Sequence, residues 1–178
     1  TLIEMSNLIR SNLELMSKSY ISLTEEMEFV DNYVSIQQKL MGNSVHYTKD
    51  IRCDINNVLI PAMIVQILVE NSFKHGLKAV EGEKMLTITI CQENMITYIT
   101  VEDNGPGFDC RRQSISSTST GLKVVRQIIS LTNSNNKAKM RFGIANITSS
   151  EGTITGCKAT RTIPNNIKYI NNKTITSK

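Results

Sequence analysis

The stretch Ile64-Val65-Gln66-Ile67-Leu68-Val69-Glu70-Asn71-Ser72-Phe73-Lys74-His75-Gly76 decides how the rest of the chain is read. Its first half is almost wholly apolar, which on a helix means burial on nearly every side. An acid, an amide, a cation and an imidazole follow within two turns. At about 100° per residue, with Glu70 at zero, Lys74 falls near ~40°, Asn71 near ~100° and His75 near ~140°. A carboxylate, an amide oxygen and an ammonium then share one flank of an otherwise buried helix. Buried helices rarely carry charge without a partner or a task. The reading is a functional site; a plain Glu70–Lys74 ion pair at i, i+4 is the structural alternative.

Outward from this helix, Pro61 suits its first turn and Gly76 a C-cap able to take positive φ. Before it, Val45, Tyr47, Lys49 and Ile51 alternate as in a half-buried strand. After it, Leu86, Ile88 and Ile90 mark a strand that turns at Glu93-Asn94 and returns through Tyr98 to Val101. Ile99 and Val101 share a face, and by parity Asp103 continues it, so a carboxylate points where the core residues point. An irregular stretch opens with Asp103-Asn104-Gly105-Pro106-Gly107-Phe108 and runs on in Ser and Thr. Gly121 then opens a helix whose stripe is Leu122, Val125, Ile128 and Ile129. Strands around 140–147 and 153–163, joined at Glu151-Gly152, close the domain. The fold class predicted is α+β, a two-layer sandwich with a mixed sheet and helices on one face.

Two amphipathic helices precede the strands. Leu2, Met5, Leu8, Ile9, Leu13 and Met16 form the stripe of the first. The second starts at the capping box Ser22-Leu23-Thr24-Glu25, carries Met27, Val30, Val34, Leu40 and Met41 on its apolar side, and ends at Gly42-Asn43. These stripes must bury on each other, on the next domain, or on a second chain. The expected organisation is a helical segment over 1–42, a catalytic domain over 43–165 and a loose polar tail over 166–178.

Composition narrows the function classes. The 178 residues suit one domain with a helical appendage, and the core must be built from Ile, Val, Leu and Met because there is no Trp. Four cysteines without a C-x-x-C pair, and two histidines far apart, point to free thiols rather than a zinc site. No apolar run approaches a membrane span, and the chain opens at Thr1, as expected of a fragment or processed product. Residues 1–42 carry a net charge of −3 and residues 137–178 one of +7. The basic residues are dispersed along predicted strands without aromatic interleaving, so they read as a solvated sheet face and no nucleic-acid partner is expected.

An inward Asp103 can accept the amino group of a purine. A mobile loop can cover phosphates, and amides at the Gly121 helix start can bind them. The Asn71 oxygen is a hard ligand fit for Mg²⁺, and Glu70 can take a proton from an attacking nucleophile.

These residues carry a resemblance. Glu70-Asn71-Ser72-Phe73-Lys74-His75-Gly76 resembles the N box of the LytS-like sensor histidine kinases. Asp103-Asn104-Gly105-Pro106-Gly107 resembles their G1 box, and Thr120-Gly121-Leu122-Lys123-Val124-Val125 the end of their G2 box. Leu8-Ile9-Arg10, Leu23-Thr24-Glu25-Glu26-Met27, Tyr33, Gln37 and Ile60-Pro61 fit as well, so the likeness spans about residues 5–164. It implies a GHKL-type ATP-binding domain with ATP and Mg²⁺ as cofactors. Glu70 would be the general base and Asn71 the Mg²⁺ ligand. Lys74 and His75 would face phosphate or nucleotide, Asp103 would bind adenine, Gly105 and Gly107 would hinge the lid, and Thr120, Gly121 and Leu122 would lie against phosphate.

The family further implies a homodimer through the N-terminal helices, a response regulator as partner, and a cytoplasmic domain of a parent anchored in the bacterial inner membrane through segments upstream. Two departures stand out. No Pro-His-Phe acceptor motif is present, the only histidines being His46 and His75, so this chain is expected to bind ATP without phosphorylating itself at the usual place. Ser116-Ser117-Thr118-Ser119-Thr120 replaces the earlier glycine of the G2 box. The other function classes weighed are a dimerisation and signalling module with a decayed nucleotide site, and a GHKL ATPase of another type.

Overall fold

The computed structural model describes residues 20–42, 44–108 and 119–169, the side chains of 119–125 and 128 excepted. The first predicted helix, over residues 2–18, lies outside them. Strand β1 (Tyr20–Ser22) leads into helix α1 (Leu23–Leu40), then come β2 (Val45–Ile51) and the short β3 (Leu59–Pro61). Helix α2 (Gln66–Asn71) runs into a π-helical turn (Ser72–Gly76) and a 3-10 turn (Leu77–Ala79). β4 (Lys84–Glu93) and β5 (Ile96–Asp103) form a hairpin, α3 spans Ser119–Ser134, and β6 (Arg141–Thr148) and β7 (Ile154–Pro164) finish the sheet.

The main sheet has the order β2-β4-β5-β7-β6, with β2 parallel to β4 and the other pairs antiparallel. Alternation decides its layers. Leu86, Ile88, Ile90, Ile99, Val101, Ala159 and Ile163 point inward and are buried, while the intervening threonines line the open face. The β4–β5 turn falls on Asn94 and Met95, both at positive φ, one residue later than the spacing predicts.

The capping box forms as predicted: the Glu25 amide donates to Ser22 Oγ at 3.1 Å and the Ser22 amide to Glu25 Oε2 at 2.9 Å. Of the burial options open to this helix, the next domain is the one taken. Leu23, Met27, Val30 and Val34 are buried in the same core as the sheet, and no separate core divides 23–41 from it. Leu40, expected on the stripe, is instead 60% exposed. The unpredicted β1 pairs antiparallel with β3, tying the start of α1 to the chain just ahead of α2.

Three further expectations give way. Pro61 ends β3 rather than opening a helix, and the chain turns through Met63 at a φ of +66° before α2 begins. The tail is anchored as far as Tyr169. Asn136 exchanges two hydrogen bonds with the Lys168 backbone at 2.8 and 2.7 Å. The Tyr169 hydroxyl donates to the Leu59 carbonyl at 2.7 Å, and its ring lies 4.1 Å from that of Tyr20. Finally, one member of the supposed solvated basic face is wholly buried: Arg161 sits on the inner face of β7, its Cζ 4.2 Å over the Phe142 ring.

Candidate nucleotide-binding site

The end of β5 delivers Asp103 inward, as parity requires, and leaves it only 6% exposed. The Gly105 amide donates to its Oδ1 at 3.0 Å, and the Ser72 hydroxyl also bonds to it. Burial pushes its pKa up, and these two donors work against that push. A carboxylate has about four acceptor positions, so two remain for a ligand. Asp103 opens on a narrow cleft of about 60 Å³, walled by Leu68, Asn71, Ser72, His75, Gly76, Gly107, Phe108, Ile144, Cys157 and Ala159. A wider cavity of about 360 Å³ adjoins it through Phe108 and Ile144, but no acid is among that cavity's described walls. The acid and the amide that the sequence singled out therefore both lie on the narrower cleft.

The opposite wall comes from α2 and its π-helical turn. Asn71 Nδ2 donates back to the Ile67 carbonyl at 2.8 Å, so the amide oxygen is the end presented to the cleft. The π turn changes the spacing assumed for an α-helix. It places Ser72, His75 and Gly76 on the cleft, while Lys74 is exposed and outside its described walls. Lys74 Nζ instead lies 3.6 Å from Glu70 Oε2, and Gln66 Nε2 donates to Glu70 Oε1 at 3.2 Å. Glu70 is thus partly buried beside the cleft rather than in its wall. His75 is exposed, and partial burial together with the Lys74 cation lowers its pKa, which keeps it neutral at pH 7.

Gly76 has a φ of −88°, so it is not the positive-φ cap predicted for it. Space is the reason it is glycine: a Cβ there would overlap the Asp103 carboxylate. Gly105 is equally confined, against the Gly76 backbone. Gly107 does take positive φ, at +85°. Gly76→Ala is therefore expected to cost about 1–3 kcal/mol through overpacking alone. At roughly 2–4 °C per kcal/mol, a melting curve should fall by several degrees; an unchanged curve would mean Asp103 moves freely.

Sequence reasoning overlooked four contributors. Ser72 holds Asp103, and Cys157, directly across from Asp103 in the sheet, lines the cleft with its thiol pKa raised by burial to about 11. Asn146 exchanges two hydrogen bonds with the Phe108 backbone, at 2.5 and 3.2 Å, fixing the chain just beyond Gly107. Asn104 accepts from the Met85 amide at 2.8 Å and donates to the Glu83 carbonyl at 2.9 Å. Ser72 and Asn104 lie inside stretches that the sequence marks, though without a role of their own; Asn146 and Cys157 had no local signal. Thr120, Gly121 and Leu122 fall in the first turn of α3, and their side chains lie outside the described residues.

The family model described as Histidine kinase matches residues 1–45. Sensor protein LytS of Staphylococcus epidermidis is 32% identical over 162 residues, covering 88% of this chain and 27% of that protein. Sensor histidine kinase YesM of Bacillus subtilis is 32% identical, over 70% of this chain and 22% of its own length. The chain thus spans about a quarter of these relatives. The catalytic domain of histidine kinase ThkA superposes with a TM-score of 0.56 at 16% identity, covering 82% of this chain and 95% of that domain. At that identity the likeness speaks for the fold, which is the α+β sandwich predicted.

Proposed function

Because the chain belongs to the LytS-like sensor histidine kinases, we propose that it binds ATP with Mg²⁺ and presents the γ-phosphoryl to a histidine outside this chain. An aspartate of a response regulator would be the next acceptor. The observation that carries this reading is the cleft itself. An inward carboxylate with spare acceptor capacity stands on one wall, and an amide oxygen turned outward by its own backbone bond stands on the other.

Asp103 accepts the adenine amino group, and Gly76 and Gly105 leave room for its carboxylate at the cleft wall. The donor set fits Mg²⁺, which takes one protein oxygen readily when phosphate and water complete its octahedron. Asn71 would hold it, and when bound it offsets the charge on the phosphate oxygens. Glu70, oriented by Gln66 and Lys74, accepts the proton of the attacking imidazole. Lys74, His75 and the first turn of α3 would lie toward phosphate, and Gly105 and Gly107 would hinge the lid.

In a longer protein that includes the acceptor histidine, Glu70→Gln should slow phosphotransfer by roughly 10²–10⁴-fold. Nucleotide-induced stabilisation should survive in the same variant. Wild-type transfer by Glu70→Gln would remove Glu70 from the chemistry. The hydroxyl-rich run before Gly121 favours a second reading, a signalling module with a decayed site. An unchanged melting curve at millimolar MgATP would select it.

A homodimer would pair through the N-terminal helices, although Leu23, Met27, Val30 and Val34 of α1 pack into the core of this chain. No helix among the described residues is long and apolar enough to cross a membrane. Anchoring of a parent protein in the inner membrane would come through segments upstream.

A further inference from the structure

Helix α2 opens without a cap of its own: Val65 holds the N-cap position with helical angles and makes no side-chain bond. Its leading amides are satisfied instead from α1. Glu26 Oε2 accepts from the Met63 amide at 2.8 Å, and Oε1 accepts from Val65 at 2.9 Å and Gln66 at 3.0 Å. The carboxylate is 0% exposed. A buried acid is costly unless its lone pairs are used, and here the three amides use them. Met63, one of the three donors, stands at a φ of +66°. That backbone state costs a β-carbon residue about 1–2 kcal/mol, so it needs support from its surroundings.

Asn71 lies five residues beyond Gln66 on the same short helix, about 7.5 Å along its axis. Asp103 stands on β5, where the Gly105 amide of its own loop holds it; its second donor, Ser72, follows directly on α2. The Asn71 end of the cleft therefore depends directly on how α2 is set, and the Asp103 end only through Ser72.

We propose that Glu26 is a positioning residue for the metal end of the nucleotide site, fixing the start of α2 so that the Asn71 oxygen meets the metal on bound ATP. This rests on the reading that the cleft binds MgATP. Partners that orient a metal ligand typically contribute about 10–100-fold to metal affinity. The test is calorimetric titration of the full chain with ATP, in Mg²⁺ and in EDTA, for wild type, Glu26→Gln and Glu26→Asp.

Glu26→Gln opposes an amide nitrogen to one of the donors, and Glu26→Asp withdraws the carboxylate by a methylene. Both should reduce the affinity gained from Mg²⁺ by about tenfold, with affinity in EDTA held within about threefold. A merely structural role would lower the melting temperature and leave that ratio unchanged in the folded variants. An unchanged ratio overturns the proposal, as does failure of both variants to fold, which would make Glu26 a core requirement only. If wild type itself gains nothing from Mg²⁺, the MgATP reading fails first and takes this step with it.

Discussion

Replacing Asp103 with asparagine is expected to remove nearly all of the thermal stabilisation that MgATP confers. At a ligand concentration of about 100 times Kd, binding contributes about 2.7 kcal/mol, or roughly 5–10 °C for a domain of this size. A hydrogen bond to a charged acceptor is worth about 1.5–3 kcal/mol, so its loss weakens binding by up to about 100-fold. At the same ligand concentration the variant would then sit near its own Kd and gain only about 0.4 kcal/mol. The swap is isosteric, and the new amide oxygen can still accept from Gly105, so the fold should survive it.

Burial raises the Asp103 pKa, which adds a pH signature. Binding needs the acceptor form, so the wild-type shift should fade on acidification at a higher pH than an exposed aspartate would give. Without ligand the sign reverses. A folded pKa above the unfolded value means that ionised Asp103 costs stability once pH exceeds the folded pKa. Asp103→Asn should thus be at least as stable as wild type at neutral pH. A variant that keeps the full MgATP shift would show that adenine is recognised elsewhere.

Arg161→Met should stabilise the protein by about 2–4 kcal/mol, raising the melting temperature by roughly 5–12 °C. The Arg161 side chain is 0% exposed, and none of its three nitrogens has a hydrogen-bond partner among the described residues. Burial pulls its pKa down to about 9, which still leaves it a cation at neutral pH. Stacking on Phe142 returns about 0.5–2 kcal/mol, less than the several kcal/mol that desolvating an ion costs. Methionine matches the unbranched stem and is supple enough to fill the same space. Chemical denaturation of both proteins measures the difference. A less stable methionine variant would mean that the guanidinium finds an acceptor in solution.

Much of the site is local in origin, and local features can be read from residues. Parity along β5 aims Asp103 inward because side chains alternate with a period of two, whatever the sheet packs against. The Ser22–Glu25 capping box closes within four residues and needs no tertiary partner. Asn71 reaches the cleft wall because it sits one turn from an apolar run that must be buried. The π-helical turn could not be read this way. Ser72 to Gly76 would suit an α-helix by composition, yet they close as a π turn packed against the β5 end, with Gly76 on the cleft and Lys74 off it.

By itself the sequence determined the α+β class, the strands of the main sheet, the inward carboxylate of Asp103, and the acid and amide pair at Glu70-Asn71. These follow from periodicity and from the cost of burying charge. Only the tertiary structure decided which side chains across the sheet and between helices complete the site. Cys157 faces Asp103 through strand register, Gly76 is glycine because a carboxylate from another strand fills its Cβ space, and Glu26 caps a helix that begins some forty residues later. Arg161 shares the parity of Ala159 and Ile163 on β7, but that a cation on this face is wholly buried was shown only by the packing. Contacts between distant residues depend on register and packing, and neither is written in any short stretch of chain.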